Sequence, residues 1–191
     1  MKIPAIANQL IAHKEAADGF FAAHEGDLLT LTEKIAGRLR ADGKILFCGN
    51  GGSACDAMHI AGEFVGRFIK DRKALRALAL TSDPGILTAV GNDYGYQHVF
   101  ARQVEAHGRA DDILIGLSTS GTSENVLEAF KAAKKIGMYT VLMTGARGQA
   151  AKGKADLTLV VPNTETARVQ EVHMLALHML IGLVEQEMGL A

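Results

Sequence analysis

The stretch ILFCGNGGSACDAMHIAGEF, residues 45–64, decides the fold because an apolar run meets a glycine-rich turn and then a helical pattern. Residues 45–48 are apolar throughout, as expected of a strand buried on both faces of a sheet. The glycines let the backbone turn tightly, and His59 and Glu63 follow one helical turn apart. The stretch predicts a strand, an anion-binding turn, and a helix that carries an imidazole and a carboxylate on one face.

Four further apolar runs alternate with helical stretches, at residues 77–80, 113–117, 140–143 and 157–161. This alternation is typical of βα units, which form a parallel sheet with right-handed crossovers. Two helical segments precede the first strand, and a long helix is predicted at about residues 166–188. Because that helix is apolar on most sides, we expect it to pack against a deep core or another chain.

The composition is that of a globular chain long enough for one domain. The 191 residues are 48% hydrophobic and 21% charged, and the net charge of −1 does not favour a nucleic-acid partner. Polar residues interrupt the N-terminal stretch, and no run approaches the ~20 apolar residues of a membrane span. We therefore expect a cytoplasmic protein without a membrane partner, in which Cys48 and Cys55 stay free thiols.

Two loops after predicted strands have the composition of anion-binding sites. The glycine loop, GNGGS, covers residues 49–53, and the hydroxyl loop, STSGTS, covers residues 118–123. Ligands of open α/β sheets bind beyond the carboxyl ends of the strands, where both loops are expected. Five hydroxyls in six residues before a helix favour a phosphate. Ser53 and Asp56 also match a capping box, which predicts that the next helix begins there.

Other interpretations of these loops remain open from the residues alone. A glycine-rich turn can be only a tight connection, and hydroxyl clusters before helices are often caps. The letters GNGGSA also fit the dinucleotide fingerprint G-x-G-x-x-A, with Asp83 as a ribose acid, although Asp83 comes later than usual. A P-loop is excluded because no Lys-Ser or Lys-Thr closes the glycine run.

Ionisable residues on two predicted helices could serve a ligand held at these loops. His59 and Glu63 share a helix face, although such a pair is often only a solvated contact. His178 lies among apolar residues, where a polar ring is costly unless paired, so it is either a satisfied core histidine or a functional one. His173 points elsewhere and is interpreted as structural or interfacial. Residues 67–76 are basic and are interpreted as a solvated loop, with substrate steering as the alternative.

The segments CGNGGSACDAMHIAGEF, AVGNDYG, STSGTSENV and RVQEVHMLALHML occur in order along the chain. Together they resemble the sugar isomerase (SIS) domain family and, within it, the sedoheptulose-7-phosphate isomerases, also called phosphoheptose isomerases. The resemblance implies a doubly wound, five-stranded parallel sheet of flavodoxin-like topology. It implies one SIS domain over residues 1–191, with an N-terminal helical extension at 1–43 and the α/β core and C-terminal helix at 44–191.

The roles known in that family fall on matching positions. The resemblance implies that Glu63 is the base that moves a proton between C1 and C2 through an enediol, and that His178 is the acid that serves the carbonyl oxygen. For the segment GNDYG, residues 91–95, the sequence alone predicts merely a turn. The resemblance implies a substrate site made of Asn50, Gly51, Gly52, Ser53, Asn92, Asp93, Ser118, Thr119, Ser120, Ser123 and Gln170, with the four residues of the hydroxyl loop holding the phosphate.

Some members of the family carry zinc, for which the matching ligands are His59, Glu63, Gln170 and His178. Gln170 and His178 lie ~12 Å apart along one straight helix, so both side chains must lean inward to share an ion. No nucleotide cofactor is implied. The family assembles as homotetramers with sites between subunits, which agrees with the apolar C-terminal helix.

The implied reaction converts D-sedoheptulose 7-phosphate to D-glycero-D-manno-heptose 7-phosphate. It is the first step towards nucleotide-activated heptose for surface polysaccharides such as lipopolysaccharide. The alternative is a non-catalytic SIS protein that binds a sugar phosphate or acts as an adaptor. Such a protein would lack the acid–base residues, and this sequence retains Glu63 and His178.

Overall fold

The computed structural model describes residues 3–190 and contains a five-stranded sheet. Strands β1 to β5 are Ile45–Gly49, Ala77–Ala79, Ile113–Leu117, Tyr139–Gly145 and Leu157–Val161. They lie in the order β2-β1-β3-β4-β5, and each neighbouring pair is parallel. This is the flavodoxin-like order, so the predicted doubly wound topology is confirmed. The five predicted strands are all present, and their ends differ from the prediction by at most two residues.

Six α-helices accompany the strands within the described part of the chain. Helices α1 to α6 are Ile3–Arg40, Gly52–Val65, Pro84–Tyr94, Ala101–His107, Glu124–Ile136 and Thr166–Glu187. Short 3-10 helices lie at Tyr96–His98 and Ala146–Ala151. Among residues 3–190, no helix has both the length and the apolar character needed to cross a bilayer.

A single helix, α1, replaces the two N-terminal segments that the sequence predicts. It runs for 38 residues without interruption, through Gly19 and Gly26. A glycine in a helix interior costs only about 1 kcal/mol relative to alanine, which is too little to break a helix that packs along its length. Packing against the rest of the molecule, through buried residues such as Phe20 and Ile35, therefore decides the continuity of α1.

Alternating strand residues divide the core into two layers, one on each face of the sheet. Phe47, Ile115 and other side chains of one face pack against α1, α2 and α6. Leu46, Leu114 and other side chains of the opposite face pack against α4 and α5. The helices that carry His59, Glu63 and His178 thus lie on the same face of the sheet.

Both cysteines are free thiols, as predicted. Cys48 is buried near the end of β1, and Cys55 is exposed on α2. Burial raises the pKa of the Cys48 thiol to about 12. Because only the thiolate is reactive, Cys48 behaves as a small apolar core residue.

Residues 67–76, predicted to be a solvated loop, are exposed only in part. Arg72 Nε lies 2.7 Å from Glu185 Oε1 of α6, and each of the two side chains is 2% exposed. Arg76, in contrast, pairs with Asp42 at the surface. The prediction is therefore wrong at Arg72, because an arginine can be buried where an acidic partner and main-chain carbonyls accept its N–H groups.

His173 of α6 is fully buried, in agreement with a structural role. We expect the burial of His173 to lower the free energy of unfolding as the pH falls from about 6.5 to 4. Burial lowers the pKa of His173 to about 4, from an ordinary value of 6.5. The unfolded chain binds a proton in this range before the folded chain does, so the contribution is complete above pH 6.5 and is lost as the pH falls towards 4.

The expected loss is at most about 3 kcal/mol. Urea unfolding of the wild type and of His173→Leu, each at pH 7 and pH 4.5, measures it. The difference in the free energy of unfolding between pH 7 and pH 4.5 should be smaller in the variant than in the wild type, whatever the absolute stability of the variant. An equal difference in both proteins would contradict this assignment.

Candidate active site

The glycine loop and the hydroxyl loop meet at the point where the sheet changes its winding direction. β1 and β3 are paired along their whole length, from Ile45 opposite Ile113 to Gly49 opposite Leu117. From there α2 turns to one face of the sheet and α5 to the other. Adjacent crossovers on opposite faces leave a crevice at the carboxyl edge, where open α/β sheets bind ligands.

A pair of asparagines joins the two loops. Asn50 Nδ2 donates to Asn125 Oδ1 at 2.9 Å, and Asn125 Nδ2 donates back to Asn50 Oδ1 at 2.8 Å. The Tyr96 hydroxyl donates to the same Asn50 oxygen at 3.0 Å. The sequence offers no signal for Asn125 or Tyr96, because the contact joins residues 75 positions apart. This pair fixes the spacing between the two loops.

Helix α2 begins earlier than the capping-box prediction places it. Gly51 is the N-cap, with a φ of 56°, and no side chain caps the first turn. The prediction from Ser53 and Asp56 is wrong because a glycine readily adopts this left-handed φ, so the chain can enter the helix two residues before Ser53. The Ser53 side chain is thereby buried and available to a neighbouring helix.

The neighbouring helix is α6, and its Gln170 side chain reaches Ser53. Gln170 Nε2 donates to Ser53 Oγ at 3.4 Å. A Cβ atom at Gly52 would lie 2.6 Å from the same Nε2, so the glycine lets the two helices approach. Gln170 is thus brought together with the glycine loop, as expected of a substrate-binding residue, whereas its role as a zinc ligand stays a prediction.

The hydroxyl loop folds its side chains onto one another before α5 begins. Ser118 Oγ and Ser123 Oγ lie 2.8 Å apart, and Ser120 Oγ lies 2.9 Å from Thr122 Oγ1. Ser123 is the N-cap of α5, but its side chain makes no capping hydrogen bond. Because the start of a helix attracts anions through its amides and its dipole, the loop can exchange these internal contacts for a phosphate.

Gly121 turns the hydroxyl loop and touches the segment after β4. Its φ is 69°, and a Cβ at this position would lie 2.5 Å from Gly148 Cα. The two backbones meet without a side chain between them. The 3-10 helix Ala146–Ala151 therefore supports the hydroxyl loop directly.

His59, Glu63 and His178 form one cluster between α2 and α6. His59 Nε2 lies 3.3 Å from Glu63 Oε1 and 3.4 Å from His178 Nε2. One ligand atom from each residue lies within 4.8 Å of the others. His59 is exposed, whereas Glu63 and His178 are half-buried. Two imidazole nitrogens and a carboxylate oxygen are a ligand set that zinc accepts, so these residues fit a metal ion.

Asp56 precedes His59 by one turn of α2 and is a further candidate. Its Oδ2 is buried and lacks a hydrogen-bond partner among the described residues. Burial raises the pKa of the Asp56 carboxyl, while a charged His59 acts in the opposite direction. A buried oxygen without a partner can accept a ligand hydroxyl. The spacing of Asp56, His59 and Glu63, three and then four residues, is the signal that could have placed all three on one helix face.

Asn92 and Asp93 lie in the last turn of α3, so the interpretation of GNDYG as merely a turn is wrong. Both are exposed, and Asn92 Nδ2 donates to Asp93 Oδ1 at 2.7 Å. Within residues 3–190 neither side chain hydrogen-bonds to the glycine loop, whereas the nearby Tyr96 hydroxyl donates to Asn50. Their role in substrate binding stays a prediction.

The SIS domain family matches residues 12–145 of this chain. A phosphoheptose isomerase of Helicobacter pylori (strain P12) is 46% identical over 181 residues, which cover 95% of this chain and 94% of the relative. A phosphoheptose isomerase of Roseiflexus sp. (strain RS-1) is 52% identical over 159 residues, which cover 83% of this chain and 81% of the relative.

Solved structures agree with these sequence relatives. The phosphoheptose isomerase of Neisseria gonorrhoeae has a TM-score of 0.89 to this chain at 40% identity, and the alignment covers 97% of this chain and 100% of that one. The similarity therefore extends over nearly the whole chain.

Proposed function

The chain belongs to the SIS-domain family and, within it, to the phosphoheptose isomerases, and we propose that it interconverts D-sedoheptulose 7-phosphate and D-glycero-D-manno-heptose 7-phosphate. The predicted fold, family and enzyme class are confirmed by the relatives that share its sequence and structure. One observation carries the proposal. The hydroxyl loop and α2, which carries Glu63, follow the two strands at the switch point of the sheet, and α6 brings His178 to within 3.4 Å of His59 on α2.

The substrate phosphate is proposed to bind Ser118, Thr119, Ser120 and Ser123 at the start of α5. Hydroxyls and main-chain amides suit a dianion, and the dipole of the helix adds to the attraction. The sugar is proposed to bind Asn50, Gly51, Gly52, Ser53 and Gln170, with Asn92 and Asp93 at the exposed side. The Asn50–Asn125 pair supports this division, because it couples the sugar-binding residues to the phosphate-binding residues.

Proton transfer needs one base at carbon and one group at oxygen. Glu63 removes a proton from C1 of the ketose while His178 donates a proton to the C2 oxygen, which gives an enediol. Glu63 then returns a proton to C2, and His178, neutral after its donation, takes the proton of the C1 hydroxyl as the new carbonyl forms. An imidazole suits the oxygen because it exchanges a proton near neutral pH. The sequence of steps is balanced without an oxidant or a reductant.

Zinc is proposed as a cofactor, held by His59, Glu63 and His178, with Gln170 as the further predicted ligand. When bound, the ion would supply a positive charge that stabilises oxygen anions of the substrate. Glu63 belongs to both the ligand set and the acid–base pair. A metal dependence therefore has to be measured together with turnover.

A homotetramer with sites at subunit interfaces is proposed as the assembly. Ile6, Leu10 and Ile11 of α1 and Met179 of α6 are apolar and 45–65% exposed. A groove between α1 and α6, ≈ 390 Å³ in volume, adjoins another that His178 and Met179 line. A second subunit on this face would bury these residues and exclude water from His178. A cytoplasmic location and the use of the product for surface polysaccharides stay predictions.

The test is an isomerisation assay in deuterated water, followed by NMR, with arms that contain a chelator or added zinc. We expect heptose 7-phosphate that carries deuterium at C2, because the proton on the base exchanges with solvent. Loss of turnover with the chelator and recovery with zinc would support the ligand set. If sedoheptulose 7-phosphate binds but no product or deuterium exchange appears in any arm, the non-catalytic alternative is correct.

A further inference from the structure

Arg72 links the two helices that carry the proposed acid–base pair. It lies in the 66–76 loop, which leaves the end of α2 and returns the chain to β2. We propose that Arg72 is a positioning residue that fixes Glu63 and His178 relative to each other, a role that rests on the proposed isomerase function. Arg72 hydrogen-bonds to neither side chain among the described residues and acts through the main chain of one helix and an acidic residue of the other.

On the α2 side, the Arg72 guanidinium binds the carbonyl groups at the end of the helix. Nη2 donates to the Glu63 oxygen at 2.7 Å, and Nη1 donates to the Phe64 oxygen at 2.8 Å and the Gly66 oxygen at 3.1 Å. These carbonyls have no partner inside the helix and lie at the negative end of its dipole. Arg72 therefore holds the main chain of Glu63 and leaves its carboxylate directed towards His59.

On the α6 side, the same guanidinium pairs with Glu185. Its Nε donates to Glu185 Oε1 at 2.7 Å, and both side chains are 2% exposed. Glu185 follows His178 by seven residues, two helical turns, so it lies on the same side of α6. Phe68 of the 66–76 loop also stacks on the His178 ring, with centroids 5.6 Å apart and planes at 16°. One loop thus contacts both halves of the acid–base pair.

A gain in the free energy of unfolding is a weak explanation for the buried pair of Arg72 and Glu185. Apolar residues of similar volume often replace a buried ion pair without loss of stability. Geometry is the stronger reason, because a displacement of about 1 Å between reacting groups can lower a rate about 100-fold. The fork of the guanidinium suits this task, since its N–H groups have fixed directions towards Glu63, Phe64 and Glu185.

The test compares Arg72→Met with Arg76→Met, a matched control in the same loop. Arg76 forms an exposed pair with Asp42, so its replacement should leave kcat unchanged. In Arg72→Met we expect kcat to fall by about 10- to 100-fold. KM and the Kd for inorganic phosphate should stay within about threefold of wild type, because the hydroxyl loop lies on β3 and α5. Arg72→Lys, which keeps the charge without the fork, should recover only part of kcat.

Glu185→Gln is the milder variant, and it tests the positioning role of Arg72 if Arg72→Met does not fold. NMR of ¹³C-labelled histidine adds a readout that needs no turnover. The His178 signal should move in Arg72→Met or Glu185→Gln and stay in place in Arg76→Met. Folded Arg72 and Glu185 variants with wild-type kcat and an unmoved His178 signal would overturn the proposal. Equal losses of kcat and phosphate binding would overturn it too, because they indicate general damage.

Failure of the proposed isomerase activity and failure of the role of Arg72 give different results in these experiments. A wild-type protein that binds phosphate but does not isomerise would contradict the proposed function. The His178 signal of the variants would then still decide whether Arg72 positions this residue.

Discussion

Replacement of Glu63 by glutamine is expected to lower kcat by a factor between about 10² and 10⁴, with little change in the Kd for sedoheptulose 7-phosphate. Glutamine has nearly the shape of glutamate and can still bond to His59, but it cannot take a proton from C1. The substrate is proposed to gain its binding energy at the glycine and hydroxyl loops, which the substitution does not touch. Steady-state kinetics and calorimetric titration of the variant measure the two quantities.

Glu105→Gln is the matched control, because Glu105 forms only an exposed pair with Arg102 on α4. It should keep full turnover. Full turnover in Glu63→Gln would contradict the role of Glu63 as base. Recovery of that variant by excess zinc would indicate that Glu63 acts chiefly as a ligand, since a metal cannot replace a missing proton acceptor.

The sheet could be predicted from the sequence because each of its strands forms an apolar run set off by helical stretches. A run such as residues 113–117 is a strong signal, since both of its faces are buried in the structure. The continuity of α1 could not be predicted in the same way. Gly19 and Gly26 weaken the helical pattern locally, and only packing against α6 and β5 determines that the helix continues.

The candidate site also has parts that the sequence predicts and parts that depend on contacts between distant residues. The glycine and hydroxyl loops have a local composition that indicates anion binding, and His59 and Glu63 have helical spacing. Asn125 and Arg72 have no such signal, because their partners lie 75 and 113 residues away. Arg72 also stands in a basic segment, which is typical of solvated loops. Its burial depends on Glu185, whose position follows only from the docking of α6.

The structure separates the residues proposed to bind the phosphate from those proposed for proton transfer. The hydroxyl loop belongs to β3 and α5 and rests on Gly148, whereas Glu63 and His178 lie on α2 and α6 across the sheet. Damage to the hydroxyl loop should therefore affect KM first, in contrast to the Glu63 substitution. At Gly121, one added carbon atom would displace the hydroxyl loop.

Gly121→Ala is expected to raise the KM for sedoheptulose 7-phosphate by about 10- to 100-fold, with a smaller effect on kcat. The range corresponds to one or two charge-assisted hydrogen bonds to the phosphate. The φ of 69° disfavours alanine, and its Cβ would lie 2.5 Å from Gly148 Cα, a main-chain atom that cannot swing aside. The hydroxyl loop must therefore move. Initial rates over a range of substrate concentrations, with phosphate as a competing ligand, measure the loss.

Gly137→Ala separates the effect of the backbone from that of the site. Gly137 ends the same helix, α5, with a φ of 91°, but a Cβ there would meet only Ala110 Cβ at 3.7 Å. Both variants should lose about 1–3 kcal/mol of unfolding free energy, because each holds alanine in a left-handed conformation. Only Gly121→Ala should lose phosphate affinity. An equal rise of KM in both would mean that strain in α5 weakens binding, and the hydroxyl loop would then not be the phosphate site.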